Sequence, residues 1–476
     1  MNVLFALGLG LTLLLTGCFA KVQTLPAQTE SPQFAPLPDP DVIVGLAVSG
    51  GGSRAATFAA GALEALGALR IKEGTRERSV LEGVAYMSSV SGGSLATAYY
   101  ALKKPPKSEP VLDAQGLTPG YRTFFTDFKS AMQMDFQTRA AVRQLLFFRA
   151  FNPTKFAYSF SEVWDSNFFG EVTFSQLYAR EQRGDSPRVI LNGTLYNSGQ
   201  RFALTTLPAS EFNYDFIELL IKELKKPNRS VPVTPEGLAI IQQGLEKAKK
   251  QFLPLTFEQI GANHENLRLS LAVATSASFP PVVGPVTYSV NGEPPYYHIG
   301  DGGLFDNLGT ESLATLFLKK IPQGSSRKGL IIVIDTSFPF DANAAELDNS
   351  EKGFEVFKDD PSRIVGIMEE RANAYQMMLW DSLRTEGVVL PDFNHLRIEV
   401  LKHTDADWTG YQDLPDVCRE EFPPDVKPEA IKQAVRVIPT LFKIKSPCHG
   451  ALLIKAAQKV VEKHRDRIVN FIQASQ

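Results

Sequence analysis

The sequence has 476 residues, 44% apolar, 21% charged and 10% aromatic, with 49 Lys+Arg against 52 Asp+Glu and a net charge of −3. That composition describes a globular chain long enough for a large core and excludes collagen-like and low-complexity classes. No concentrated basic run is present, so no nucleic-acid partner is expected.

The amino terminus opens on an apolar run over residues 3–15 that ends Leu15-Thr16-Gly17-Cys18. A short apolar core followed by small residues is how a secretory leader reads. The segment resembles a bacterial lipoprotein signal, in which a cysteine behind small residues is lipidated and becomes the new amino terminus. Its n-region, Met1-Asn2, departs from that pattern in lacking Lys or Arg. The resemblance implies a leader over residues 1–17, lipidation at Cys18 and a lipid-anchored protein of the cell envelope, in the outer membrane. A plain apolar anchor is the alternative, since residues 3–20 approach spanning length. Residues 18–40, rich in Pro, Gln and Thr, are expected to form an extended tether.

At residue 41 the texture changes. Residues 41–48 are a continuous apolar run, the pattern of a strand buried on both faces. Ser49-Gly50-Gly51-Gly52-Ser53-Arg54 follows, then a helical spacing of Phe58, Leu63, Leu66 and Leu69. The same order recurs at residues 84–90, Ser91-Gly92-Gly93 and a helix over 94–102. Further buried strands are expected at 188–194, 267–275, 329–335 and 395–401. Strand alternating with helix predicts an α/β fold with a mostly parallel sheet. Two stretches have the texture of insertions, near 104–186 and 208–257. Within the first, residues 118–178 carry a dozen of the 32 Phe. They form either an aromatic core layer or a cap that meets acyl chains or a membrane. The second reads as a solvated, charged helix.

Three motifs carry chemistry. Ser91 sits between a strand and a helix with Ser89, Gly92 and Gly93 around it, the arrangement of a nucleophile elbow, although Ser89 stands where a glycine is usual. The loop Gly50-Gly51-Gly52 turns backbone N–H groups outward, as an oxyanion hole requires. A dinucleotide loop would want G-x-G-x-x-G, and Ala55 occupies its last glycine position. Arg54 is available to tie the turn down or to meet an anionic headgroup. Asp301-Gly302-Gly303 is a tight-turn carboxylate whose glycines leave room for a hydroxyl to approach.

In this order the three resemble the patatin-like phospholipase family, nearest its cytosolic phospholipase A branch, over residues 42–310. The resemblance implies a three-layer α/β/α fold with a mostly parallel sheet and a helical cap. It implies a catalytic unit over residues 41–320, continued by 321–476. By it Ser91 is the nucleophile, Asp301 the base, Gly51 and Gly52 the oxyanion hole and Arg54 a substrate-binding residue. The substrate is a phospholipid or related acyl ester, and neither cofactor nor metal is required. Two rival readings stand beside it. One is an α/β-hydrolase triad using Asp301 or Asp335 with His395 or His403, and the other a lipoprotein that binds lipid without catalysis. A carboxylate base ionising near 4, or somewhat higher if desolvated, predicts an acid limb below the ~6.5 of a histidine base. The exported context makes Cys418 and Cys448, the only cysteines besides Cys18, a candidate disulfide.

Overall fold

The computed structural model describes residues 21–29, 33–213 apart from 75, 147, 148, 150 and 151, 234–321 apart from 281, 327–337 and 395–474, with 225, 372 and 374 singly. The leader and Cys18 lie outside the described residues, as do Phe147, Phe148 and Phe151.

Among the described residues ten strands make the main sheet: β1 (Val22–Leu25), β2 (Val42–Val48), β3 (Val84–Ser89), β4 (Arg188–Leu195), β5 (Gln200–Thr205), β6 (Leu255–Thr256), β7 (Val286–Val290), β8 (Glu293–Asp301), β9 (Lys328–Asp335) and β10 (Leu396–Lys402). Their order is β1-β7-β8-β4-β3-β2-β9-β10, with β5 on β4 and β6 on β5. The five strands β4, β3, β2, β9 and β10 run parallel. Both β5 and β8 run antiparallel to β4.

The parallel strands read as unbroken apolar runs because both of their faces are covered. Val44, Leu46 and Val48 of β2, with Leu330, Ile332 and Ile334 of β9, enter one core. Phe58, Leu63 and Leu66 of α1 (Gly52–Ala68), Leu95 of α2 (Gly92–Lys103) and residues of the C-terminal helix Pro447–Gln473 share it. The alternate residues Ile43, Ala47, Ile331 and Val333 enter the core on the opposite face, with Leu313, Leu316 and Phe317 of the helix Thr310–Lys320. The result is an α/β/α sandwich. Among the described residues no helix is long and apolar enough to cross a membrane.

The aromatic stretch folds as α3 (Pro119–Met132), α4 (Phe136–Leu146), α5 (Phe156–Trp164) and α6 (Phe174–Arg183). Phe124, Phe125, Phe128, Phe136, Phe160, Phe168, Phe169 and Phe174 are all buried. Tyr99 stacks on Phe128 at 4.8 Å, and Phe160 meets Phe442 at 4.9 Å. These rings are a core layer; among the described residues of this stretch the exposed large apolar side chains are Val142, Leu145 and Leu146 on α4.

Two expectations are corrected. Residues 267–275, expected as a strand, contain α7 (Leu269–Ser276), all eight of whose residues are buried. A helix apolar on every side has no period to distinguish it from a buried strand. Part of the expected tether is docked: β1 pairs with β7, Leu25 and Phe34 are buried, and Phe34 lies 4.8 Å from the Tyr178 ring. Near the carboxyl end Cys418 and Cys448 are joined by a disulfide. It ties the segment before α8 (Pro428–Arg436) to the first turn of α9 (Pro447–Gln473).

Candidate active site

The site lies at the carboxyl ends of β2 and β3, where open α/β sheets place their ligands. At the end of β3 the Val90 amide donates to the Val48 carbonyl at 3.0 Å, and the chain then turns sharply into α2. Ser91 takes φ 53° and ψ −121° there, a conformation costing a non-glycine residue about 1–3 kcal/mol. Its N–H is fixed by the Ser276 carbonyl and hydroxyl, both at 3.2 Å. A Cβ on Gly92 would stand 2.0 Å from the Gly52 carbonyl oxygen, so the elbow and the glycine loop touch backbone to backbone.

In that loop the amides of Ser49, Gly50 and Ser53 donate to the carbonyls of Ile334, Asn307 and Leu441. Those of Gly51 and Gly52 have no protein acceptor among the described residues. Gly52 has φ 59° and lies where a Cβ would stand 2.5 Å from the Leu441 carbonyl oxygen. Arg54 departs from the expectation that it meets substrate. It is only 1% exposed, and its guanidinium donates to the Ile438 and Thr336 carbonyls, both at 2.8 Å. The buried cation ties the loop to the ends of β9 and α8; a headgroup would have to break those bonds.

Asp301 ends β8. The Thr194 hydroxyl donates to its carbonyl at 2.8 Å, and its own amide donates to Ser278 at 3.0 Å. Its Oδ1 accepts the Gly303 amide at 2.8 Å, whereas the buried Oδ2 has no partner in hydrogen-bond geometry. Burial pushes the carboxyl up to about 7, opposed by the Gly303 amide and by the nearby Ser91 hydroxyl. Ser91 and Asp301 are thus neighbours whose hydrogen bond is not closed at rest, as is common before substrate binds. Desolvation also corrects the titration argument: an acid limb near 7 no longer separates this carboxylate from a histidine.

The histidines are placed elsewhere. His403 is buried at the end of β10, three strands from β3 and so about 14 Å away. Burial, and then Arg54, hold it well below the usual imidazole range; its Nδ1 lies 3.3 Å from the Asp335 carbonyl oxygen. The Asp335 carboxylate accepts instead from the Ser337 amide and hydroxyl. His395 stands at the opposite end of β10, and His298 Nδ1 pairs with the Thr287 hydroxyl.

Sequence reasoning missed the residues that hold the elbow. Asn192 Nδ2 donates to the Ser88 hydroxyl and the Ser89 carbonyl, its Oδ1 accepts from Ser312, and its carbonyl accepts from Ser276. The one available signal was an amide inside an apolar strand, where an unpaired polar group would be costly.

The patatin-like phospholipase family model matches residues 46–314. Among solved structures, human GIVD cytosolic phospholipase A2 in complex with methyl gamma-linolenyl fluorophosphonate inhibitor and terbium chloride is 14% identical. Its TM-score is 0.41, and the match covers 91% of this chain and 59% of that one. A second structure, of human GIVD cytosolic phospholipase A2, is 13% identical with a TM-score of 0.42, covering 91% and 62%. This chain spans about three fifths of the length of the solved structures it matches. No curated protein matches it.

Proposed function

The chain belongs to the patatin-like phospholipase family, and we propose that it hydrolyses acyl esters of phospholipids or related lipids with Ser91 as nucleophile and Asp301 as base. The observation that carries this reading is Asp301 Oδ2, buried without a partner beside a serine held at positive φ. In this mechanism Asp301 takes the Ser91 proton as Oγ attacks the ester carbonyl carbon. The carbonyl oxygen gains the electron pair and is held by the free Gly51 and Gly52 amides, each such donor contributing about 3 kcal/mol. Collapse expels the alcohol, which takes the proton back from Asp301. Water, deprotonated by Asp301, then attacks the acyl carbon; the acyl–Oγ bond breaks, Ser91 Oγ takes the proton back from Asp301, and the acid is released.

The test is covalent trapping. A lipid-chain fluorophosphonate should label the folded protein and not Ser91→Ala, and a phospholipid panel should show release of fatty acid. A folded protein that neither labels nor hydrolyses would support the non-catalytic lipid-binding reading instead. Attachment through lipid at Cys18, in the outer membrane, is proposed on the leader pattern at residues 15–18.

A further inference from the structure

The helix α4 has two faces. Phe136, Ala140 and Gln144, at the i, i+4 and i+8 positions, are buried. Val142, Leu145 and Leu146, at the i, i+3 and i+4 positions of another face, are 48%, 66% and 69% exposed. Single exposed apolar residues are ordinary, but three on one face of the same helix end form a ridge that water solvates poorly.

The chain enters the fold beside that ridge. Lys21, immediately before β1, holds its Nζ 3.9 Å from the centre of the Tyr158 ring of α5. Burial, and after it Arg149, hold the Lys21 ammonium below the usual lysine range, with Glu162 opposing. Arg149 stands at the carboxyl end of α4, where its amide donates to the Gln144 carbonyl at 2.8 Å. Cys18 precedes Lys21 by three residues, a reach of at most about 11 Å. A lipid on Cys18 would therefore hold a bilayer close to the end of α4 that carries the ridge.

The charge around the ridge suits an anionic surface. Arg139, one turn before Val142 on the same face, donates to Asn167 Oδ1 at 2.7 Å and has no carboxylate within ion-pair distance among the described residues. Arg143 and Arg149 share the single carboxylate of Glu162, at 3.4 and 3.0 Å. Of the other acids here, Asp165 and Glu171 pair with Arg268, and Asp135 caps the start of α4 through the Thr138 amide and hydroxyl. With Lys21 and Lys155 added, cations outnumber carboxylates at this corner of a chain whose net charge is −3.

We propose that Val142, Leu145 and Leu146 form a membrane-docking ridge that enters the interface of an anionic phospholipid bilayer, with Arg139 and the cations beside it meeting the headgroups. The apolar side chains leave water for the acyl boundary, and the cations gain the attraction of the surface charge. At its other end α4 is tied to the candidate active site. The Phe136 and Gln137 amides both donate to the Phe442 carbonyl at 3.0 Å, and the preceding Leu441 carbonyl accepts the Ser53 amide of the glycine loop at 2.7 Å. Docking thus sets the loop about 15 Å of helix from the bilayer. The proposal rests on the reading of Cys18 as the lipid attachment and is independent of the chemistry at Ser91.

The experiment places a spin label at Val142→Cys in the full chain carrying Cys18→Ser, so that the disulfide leaves no other thiol to react. Its exposure to oxygen and to a water-soluble nickel chelate is read on phosphatidylcholine vesicles with and without phosphatidylglycerol. On the anionic vesicles the label should be reached by oxygen and shielded from nickel. A label at Asn470→Cys should stay in water, because that end of α9 lies by the start of β9, where Lys328 Nζ donates to the Ala474 carbonyl. Leu145→Ser with Leu146→Ser, at exposed positions that do not threaten folding, should weaken docking about tenfold or more and return the label at 142 to water. Arg139→Glu, also exposed, should weaken it about tenfold on the anionic vesicles alone. A label at 142 left in water on both vesicle types, or lipid shielding undiminished by the paired serines, would overturn the proposal. So would a label already immobilised without vesicles in a dimeric protein, which would assign the ridge to a second copy of the chain. Neither turnover nor lipid attachment enters the measurement, so its failure is distinct from failure of the readings at Ser91 and Cys18.

Discussion

Replacing Asp301 by Asn should abolish hydrolysis and make the protein harder to unfold. Asparagine is nearly isosteric, and its carbonyl oxygen can still accept the Gly303 amide that Oδ1 accepts at 2.8 Å. It cannot take the Ser91 proton. The stability gain follows from burial, which lifts the carboxyl from its ordinary value near 4 to about 7 in the folded protein. A carboxyl so raised contributes stability that is fully present below about 4 and is lost as pH rises through about 7. By pH 8 the folded state bears a buried carboxylate costing roughly 4 kcal/mol, which Asn removes. At pH 5 Asp301 is protonated in the folded state, and the residual cost is about 1 kcal/mol. Urea unfolding of variant and parent at both pH values should therefore show the variant ahead by about 3 kcal/mol more at pH 8 than at pH 5. Glu181 and Glu311, also raised by burial, titrate in both proteins and cancel in that difference. Parental kcat/KM should fall about tenfold per pH unit below about 7. A variant no more stable than its parent at pH 8, or a pH-independent gap, would refute the placement of a charged, desolvated carboxylate at this position.

Gly92→Ala should cost about a hundredfold or more in kcat, because its methyl would press the Gly52 carbonyl from 2.0 Å and displace the loop donors; near-normal turnover would show that the loop is not fixed by this contact. His403→Ala should leave most activity in the folded protein, since its ring bonds to the Asp335 carbonyl, whereas loss as complete as in Ser91→Ala would promote a triad. Cys418→Ser with Cys448→Ser should lower unfolding free energy by about 3–4 kcal/mol for a separation of 30 residues, and thiol titration of the native protein should find neither cysteine free. Cys18→Ser should move the protein out of the detergent-extracted membrane fraction; equal retention would mean another attachment.

The parallel centre of the sheet was legible in the sequence because strands buried on both faces must be apolar throughout, as residues 42–48 and 329–335 are. The glycine loop, the Ser91 turn and the Asp301 turn were legible too, because close backbone approach admits few residues besides glycine. The family match over residues 46–314 accords with the resemblance those motifs carry. Other decisions belonged to the tertiary structure. That Leu269–Ser276 is a helix could not be read from its residues, because all eight are buried and a segment covered on every side has no apolar period. Arg54 is a buried tie because the Ile438 and Thr336 carbonyls, remote in sequence, converge on its guanidinium. The buried phenylalanines among the described residues of 118–178 form a core layer against Tyr99 and Phe442, which the chain brings in from outside the stretch. Asp301 shows the same division most sharply: its turn is local, but the burial that lifts its carboxyl to about 7 comes from residues the chain gathers from elsewhere. A sequence records which residue types must be covered, whereas charge state and partner choice depend on what covers them.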